Sequence, residues 1–264
     1  MAMGFLARAA LGAMLVSLTL SLLSGFVVLK RLAFSGSGMA HAAFGGVALA
    51  LLLGLPPAPV AVVFSLAVAY LVTRLSRDGG LPEDSAIGIF FAASMAFGVI
   101  VLSFHRGYNV DLFSLLFGNL LAVQMSDLYM MAGLAAVVSF VVGRYFWELI
   151  SVAFDEDLAT VGGLPVRGLN LALMVLLALA VILSMKAVGL ILVSALLVLP
   201  GATALELAGS LRSFVGLSIL FGLLAAATGL AASYALNLAS GAAIVLSGTL
   251  IFLLVHTLRR SRRR

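Results

Sequence analysis

FDEDLATVGGLPVRGLNLALMVLLALAVILSM, Phe154 to Met185, sets a short acidic segment against an apolar run with no charge between Arg167 and Lys186. A run of this kind crosses a hydrocarbon core roughly 30 Å thick as a helix of about 20 residues. The same pattern recurs along the chain. With 64% hydrophobic and 9% charged residues and a mean hydropathy of +1.26, the sequence has too little polar surface to cover a soluble globule. Strand-period alternation is absent, so the expected class is an all-α integral membrane protein rather than a barrel.

Nine spans are expected, within a range of eight to ten, in one polytopic domain over residues 1–264. They fall near Ala9 to Leu29, Met39 to Gly54, Ala58 to Leu75, Ser85 to Ser103, Asp127 to Glu148, Leu169 to Met185, Val188 to Leu207, Phe214 to Leu236 and Ala242 to His256. The first has no convincing cleavage site after it and is read as a retained span. A further apolar piece, Leu112 to Val123, is too short to span and suits a re-entrant or broken helix. Glycine is dense within the spans, as at Gly45, Gly46, Gly222, Gly229 and Gly248, which allows close helix approach.

With nine spans, Lys30, Arg31, Arg74, Arg77, Arg144, Arg167, Arg212 and the tail Arg259, Arg260, Arg262, Arg263 and Arg264 share one side, while Arg8, Arg106 and Lys186 lie opposite. The positive-inside rule then puts the N-terminus outside, and the C-terminus and the 154–165 loop in the cytoplasm. The net charge of +5 follows from this asymmetry and points to anionic lipid, not nucleic acid. No cysteine is present, which excludes disulfides and thiolate metal sites.

Phe154, Leu158 and Val161 fall at i, i+4 and i+7, which predicts one short helix with an apolar stripe and with Asp155, Glu156 and Asp157 in its first turn. Gly162 and Gly163 end it, and Pro165 prevents its return. Such a helix suits a groove on a partner protein. The competing reading, a helix lying on lipid, sets its carboxylates against an anionic leaflet.

Ionisable residues inside the spans are few, His41 and Glu206 chief among them, which disfavours ion coupling. No Gly-x-x-x-x-Gly-Lys-Ser/Thr phosphate loop is present either, so the chain is not expected to be an enzyme that hydrolyses nucleotide by that route. Any power stroke is expected from a partner. The rival classes are an ion-coupled secondary carrier, a passive channel and a purely structural membrane protein.

Several segments together resemble the permease subunits of metal-specific ATP-binding cassette importers, the ABC-3 family of zinc, manganese and iron permeases, similar in fold to the type II permease of the vitamin B12 importer. They are Val28 to Ala50, Pro82 to Ser103, Tyr108 to Val123, Phe154 to Asn170, Val188 to Ala204 and Leu236 to Gly248. The resemblance implies import of a divalent transition metal through two permease copies. It further implies a cytoplasmic ATPase dimer, an extracytoplasmic metal-binding protein, and no cofactor held by this chain beyond the transported ion. It equates Phe154, Asp155, Glu156 and Ala159, with Asp157, Leu158, Val161, Gly162 and Gly163 around them, to the region that contacts the ATPase.

Two departures bear on the pathway. Where many members carry an aspartate and a proline around the second-span histidine, this chain has Ser37 and Gly45; in the last hairpin Asn237 and Ala239 stand for another aspartate and proline. The histidine, His41, remains. As a function, its neutral imidazole offers a transient nitrogen ligand to a passing Zn²⁺, Mn²⁺ or Fe²⁺. As structure, it hydrogen-bonds a facing group and pins two helices. His105 and His256 read as solvated or interfacial. Further pathway candidates are Asn109, Asp111, Asn119, Thr203 and Asn237, with Asp111 read first as a helix cap and Thr203 placed where Pro200 frees carbonyls. Pro82, Glu83 and Asp84 read as a cytoplasmic helix entry that also suits ATPase contact.

Overall fold

A computed structural model describes residues 4–32, 34–104 and 123–262, with the side chains at 5, 6, 78, 79, 186 and 262 left out. Every regular element among them is a helix: α1 Phe5–Leu29, α2 Ser35–Leu53, α3 Pro57–Gly79, α4 Glu83–Ser103, α5 Met125–Arg144, α6 Phe146–Phe154, α7 Glu156–Val161, α8 Val166–Val188, α9 Leu190–Leu196, α10 Leu199–Leu207, α11 Leu211–Leu236 and α12 Ser240–Arg262. Nine stretches among the described residues are long and apolar enough to span a membrane, with α9 and α10 together supplying one of them.

Three local readings change. The fifth span does not run to Glu148: α5 stops at Arg144, Tyr145 leaves helical geometry at φ −112°, ψ 26°, and the separate helix α6 follows. The guanidinium of Arg144 lies over the Tyr145 ring, 5.1 Å from its centroid. The second span begins at Ser35, a full turn earlier than the apolar count places it, because the small residues Ser35, Gly36 and Gly38 are buried rather than solvated. The seventh span is interrupted at Leu197 and Val198, ahead of Pro200. Pro200 sits in the first turn of α10, where its missing N–H has no helical partner to lose.

The chain divides into two compact units. One gathers α1, α5, α9, α10, α11 and α12 with the end of α8. Helix α1 supplies its polar seam: Ser218 Oγ donates to the Ser21 carbonyl at 2.6 Å, and the Gly201 N–H donates to Ser24 Oγ at 2.8 Å, both buried. Lipid chains are as apolar as leucine, so helices here associate through close backbone approach and such hydrogen bonds. A Cβ at Gly201 would stand 2.7 Å from the Ser24 carbonyl, and one at Gly229 of α11 only 2.3 Å from the Ile244 Cα of α12.

The other unit gathers α2, α3, α4, α6, α7 and most of α8. Helix α2 is its axis. Gly46 meets Ala61 of α3, Gly45 meets the Ser94 carbonyl of α4, and Phe44 fills the space beside Gly98. The Phe34 N–H at the start of α2 donates to Asp84 Oδ1 in the first turn of α4 at 3.2 Å.

Gly229→Ala is expected to lower the stability of the detergent-solubilised protein by about 1–3 kcal/mol through overpacking. Gly133→Ala, whose Cβ meets nothing within 4 Å, is expected to stay within about 0.5 kcal/mol of the parent. Thermal unfolding of the two variants side by side checks this, and equal losses would refute the backbone-contact account.

Candidate functional site

The acidic segment is two short helices with a sharp joint, not the single helix that the i, i+4, i+7 spacing predicts. Phe154 ends α6, and Asp155 swings to φ −157°, ψ 106°. From there its Oδ1 accepts the Leu158 N–H at 2.9 Å, capping α7. Only Glu156 and Asp157 occupy the first turn, where the helix dipole favours negative charge.

The end of α7 is closed by two hydrogen bonds, Gly163 N–H to the Thr160 carbonyl and Leu164 N–H to the Ala159 carbonyl, each 3.0 Å. That nested pair is the Schellman pattern, which places the residue after the cap in the left-handed region. Gly163 has φ +79°, whereas Gly162 has an ordinary φ of −69°. The two glycines that read alike in sequence therefore differ: only Gly163 needs to be glycine. Pro165 then precedes α8, with its carbonyl accepting the Leu169 N–H.

What α7 presents is apolar. Leu158 is 70% exposed, Val161 86% and Phe154, at the end of α6, 63%, while Ala159 is 5% exposed and anchors the helix inward. The three carboxylates do not share one role. Asp155 is spent on the cap, and Glu156 Oε1 accepts from Asn170 Nδ2 of α8 at 2.9 Å. Asp157 stays exposed beside Leu158.

His41 is half-buried in α2. Its Nδ1 lies 2.7 Å from the Ser37 carbonyl one turn back, and its ring meets Phe91 of α4 edge-on at 4.6 Å. A carbonyl only accepts, so Nδ1 carries the proton and the Nε2 lone pair is the one available to a ligand. The hydrogen bond stays within α2; the link to α4 is a ring contact, not the polar pin between helices that the sequence offers as the structural alternative.

Other pathway candidates scatter. Thr203 is 1% exposed, donates to the Leu199 carbonyl at 2.7 Å, and lines an apolar gap with Leu196, Pro200, Ile244 and Gly248. Asn237 is the exposed left-handed cap of α11 at φ 51°, a conformation asparagine tolerates well. Asn109, Asp111, Asn119 and, but for its last residue, the short helix expected over Leu112 to Val123 lie outside the described residues, as does His105.

One cluster escaped the sequence. Glu206, the next-to-last residue of α10, accepts from Arg259 at 2.6 Å through Oε2 and meets His256 Nδ1 at 2.9 Å through Oε1. Fifty residues separate these partners, and no local spacing signals the pairing. Among the described residues no group of three or more His, Cys, Asp or Glu is arranged to hold a metal ion.

The ABC 3 transport family profile matches residues 2–259. The chain belongs to that family. It is 37% identical over 249 residues to the manganese transport system membrane protein MntC of Listeria innocua, covering 94% of this chain and 89% of the relative. To the high-affinity zinc uptake system membrane protein ZnuB of Haemophilus influenzae it is 34% identical, covering 92% and 94%. The solved structure of PsaBC from Streptococcus pneumoniae in complex with Fab aligns with a TM-score of 0.82 at 36% identity, covering 96% of this chain and 91% of that one. At 18% identity and a TM-score of 0.73, a metal-chelate type ABC transporter in an inward-facing conformation shares the fold. This ABC 3 protein is thus a multi-pass permease subunit of an ABC transporter, and the ATPase is a separate protein.

Gly163→Val forces a β-branched residue to φ +79° and is expected to cost α7 about 1 kcal/mol or more. Hydrogen exchange of the Leu158 to Leu164 amides then speeds up roughly fivefold. Gly162→Ala is expected to leave it unchanged, and equal acceleration in both variants would contradict the assignment of the turn.

Proposed function

We propose that this ABC 3 permease imports a divalent transition metal, manganese ahead of zinc, driven by an ATPase that docks on α7. The observation that carries the docking reading is the pairing of 70% and 86% exposure at Leu158 and Val161 with carboxylates that suit neither lipid nor a packed core. Manganese is favoured because MntC and the Streptococcus gordonii permease ScaB, named for a manganese import system and 35% identical over 249 residues, stand beside the zinc relative ZnuB.

In this reading the lysine and arginine asymmetry sets the N-terminus outside, with the α7 loop and the arginine tail in the cytoplasm of a cell-membrane protein. Two copies of the chain form the pathway, an ATPase dimer sits beneath, and an extracytoplasmic metal-binding protein delivers the ion. The ion is cargo, and no resident cofactor is assigned to the chain. His41 serves as a passing ligand through Nε2, with Ser37, Asn109, Asp111, Asn119, Thr203 and Asn237 as further pathway positions. Weak, open coordination is what conduction requires, since an ion held tightly does not leave.

Proteoliposomes holding the permease, its ATPase and the binding protein are expected to take up manganese on ATP addition, with zinc and ferrous iron as competitors. Leu158→Arg places a charge in the docking face and is expected to weaken ATPase co-purification about 30-fold, a loss of roughly 2 kcal/mol, with membrane insertion intact. ATP-independent uptake, or full uptake by Leu158→Arg, would refute the docking reading. His41→Phe keeps a ring against Phe91 but removes both nitrogens. Its uptake is expected to fall about tenfold, equivalent to about 1.4 kcal/mol, with unchanged folded yield. Wild-type uptake in His41→Phe would leave the imidazole a packing role only.

A further inference from the structure

Helix α7 is only six residues long and carries its exposed apolar residues away from the body of its unit. A load applied to Leu158 and Val161 therefore reaches α8 through whatever fastens the two helices. One fastening is the turn Gly162 to Pro165, which includes a glycine in the left-handed region and yields readily. A second is the Glu156 to Asn170 hydrogen bond, which links the start of α7 to the fifth residue of α8 across a separation of 14 positions.

The chemistry of that bond sets it apart from the rest of the segment. Asn170 is 8% exposed, and a buried amide without a partner is costly, so its place in the apolar stretch of α8 calls for an acceptor. The acceptor is a carboxylate, so the bond is charge-assisted and stronger than one between neutral groups. Asp155, by contrast, bonds only within its own helix end, and Asp157 faces outward. Glu156 and Asn170 thus form a side-chain link between α7 and a membrane-spanning helix. Helix α8 then runs without interruption to Val188, and Gly189 begins the interrupted α9 and α10.

We infer that Asn170, held by Glu156, is a positioning residue that couples movement of the docked ATPase to α8, so that breaking the pair leaves docking intact and uncouples hydrolysis from transport. This rests on the docking role proposed for α7.

The test uses the reconstituted permease–ATPase complex with its binding protein, reading ATPase co-purification, ATP hydrolysis and manganese moved per ATP. Asn170→Leu and Glu156→Ala are expected to retain the ATPase and hydrolyse within twofold of the parent while manganese moved per ATP falls at least fivefold. Glu156→Gln keeps an acceptor for Asn170 and is expected to behave as the parent. Asn170→Asp sets two carboxylates face to face and uncouples; combining it with Glu156→Gln restores the bond with donor and acceptor reversed, and is expected to return the ratio to within twofold of the parent.

A parental ratio in Asn170→Leu and Glu156→Ala overturns the inference, as does failure of the reversed pair to recover. Loss of ATPase co-purification in the single variants also overturns it, because the pair then shapes the docking face rather than transmitting from it. If the parental complex shows no ATP-driven uptake at all, the proposed function itself fails, an outcome distinct from uncoupling in the variants alone.

Discussion

Hydrocarbon offers no hydrogen-bond partner to a peptide group, so a chain this apolar must satisfy its backbone within each segment, and every regular element among the described residues is a helix. The same medium removes the hydrophobic drive between helices, and close approach takes its place. Gly229 against Ile244, Gly46 against Ala61 and Gly201 against Ser24 are the points where backbones come near enough to exclude even a methyl group. Buried hydroxyls add the directional part: Ser24 of α1 accepts from the Gly201 N–H of α10, and Ser218 of α11 donates to the Ser21 carbonyl of α1.

Where the chain leaves that medium the rules reverse, and the α6 to α8 segment shows how. Three adjacent carboxylates are tolerable only if each has a task or water. Asp155 takes a helix cap, Glu156 takes the Asn170 amide, and Asp157 takes solvent. The apolar residues flanking them, Phe154, Leu158 and Val161, are left outward, which is the arrangement the proposed docking face rests on. Glu206 follows the same logic at the end of α10, where it meets His256 and Arg259 rather than standing alone near the membrane.

Much of this was legible along the chain. The spans follow from apolar run length, and Gly45, Gly46, Gly222 and Gly229 pack closely as their place in the spans suggests, whereas the contact of Gly201 with Ser24 was not signalled and Gly133 meets nothing. What local reading misjudged has a common cause. The spacing of Phe154, Leu158 and Val161 fits one helix, but the Asp155 carboxylate captures the Leu158 N–H and turns the backbone at that residue. Pro200 reads as the breaker of the seventh span, yet the interruption lies at Leu197 and Val198, and the proline begins the following helix. His41 was recognised as unusual, but its commitment to the Ser37 carbonyl and its ring contact with Phe91 depend on how α2 and α4 pack.

By itself the sequence determined the class, the approximate span positions and the family, because apolar length and short motifs are properties of neighbours in the chain. Only the tertiary structure decided which carboxylate caps, which one braces α7 to α8, which of two glycines turns the chain, and that Glu206 pairs with residues fifty positions away. Those choices rest on distances between side chains brought together by packing, and a hydrogen bond about 3 Å long leaves no trace in the order of residues.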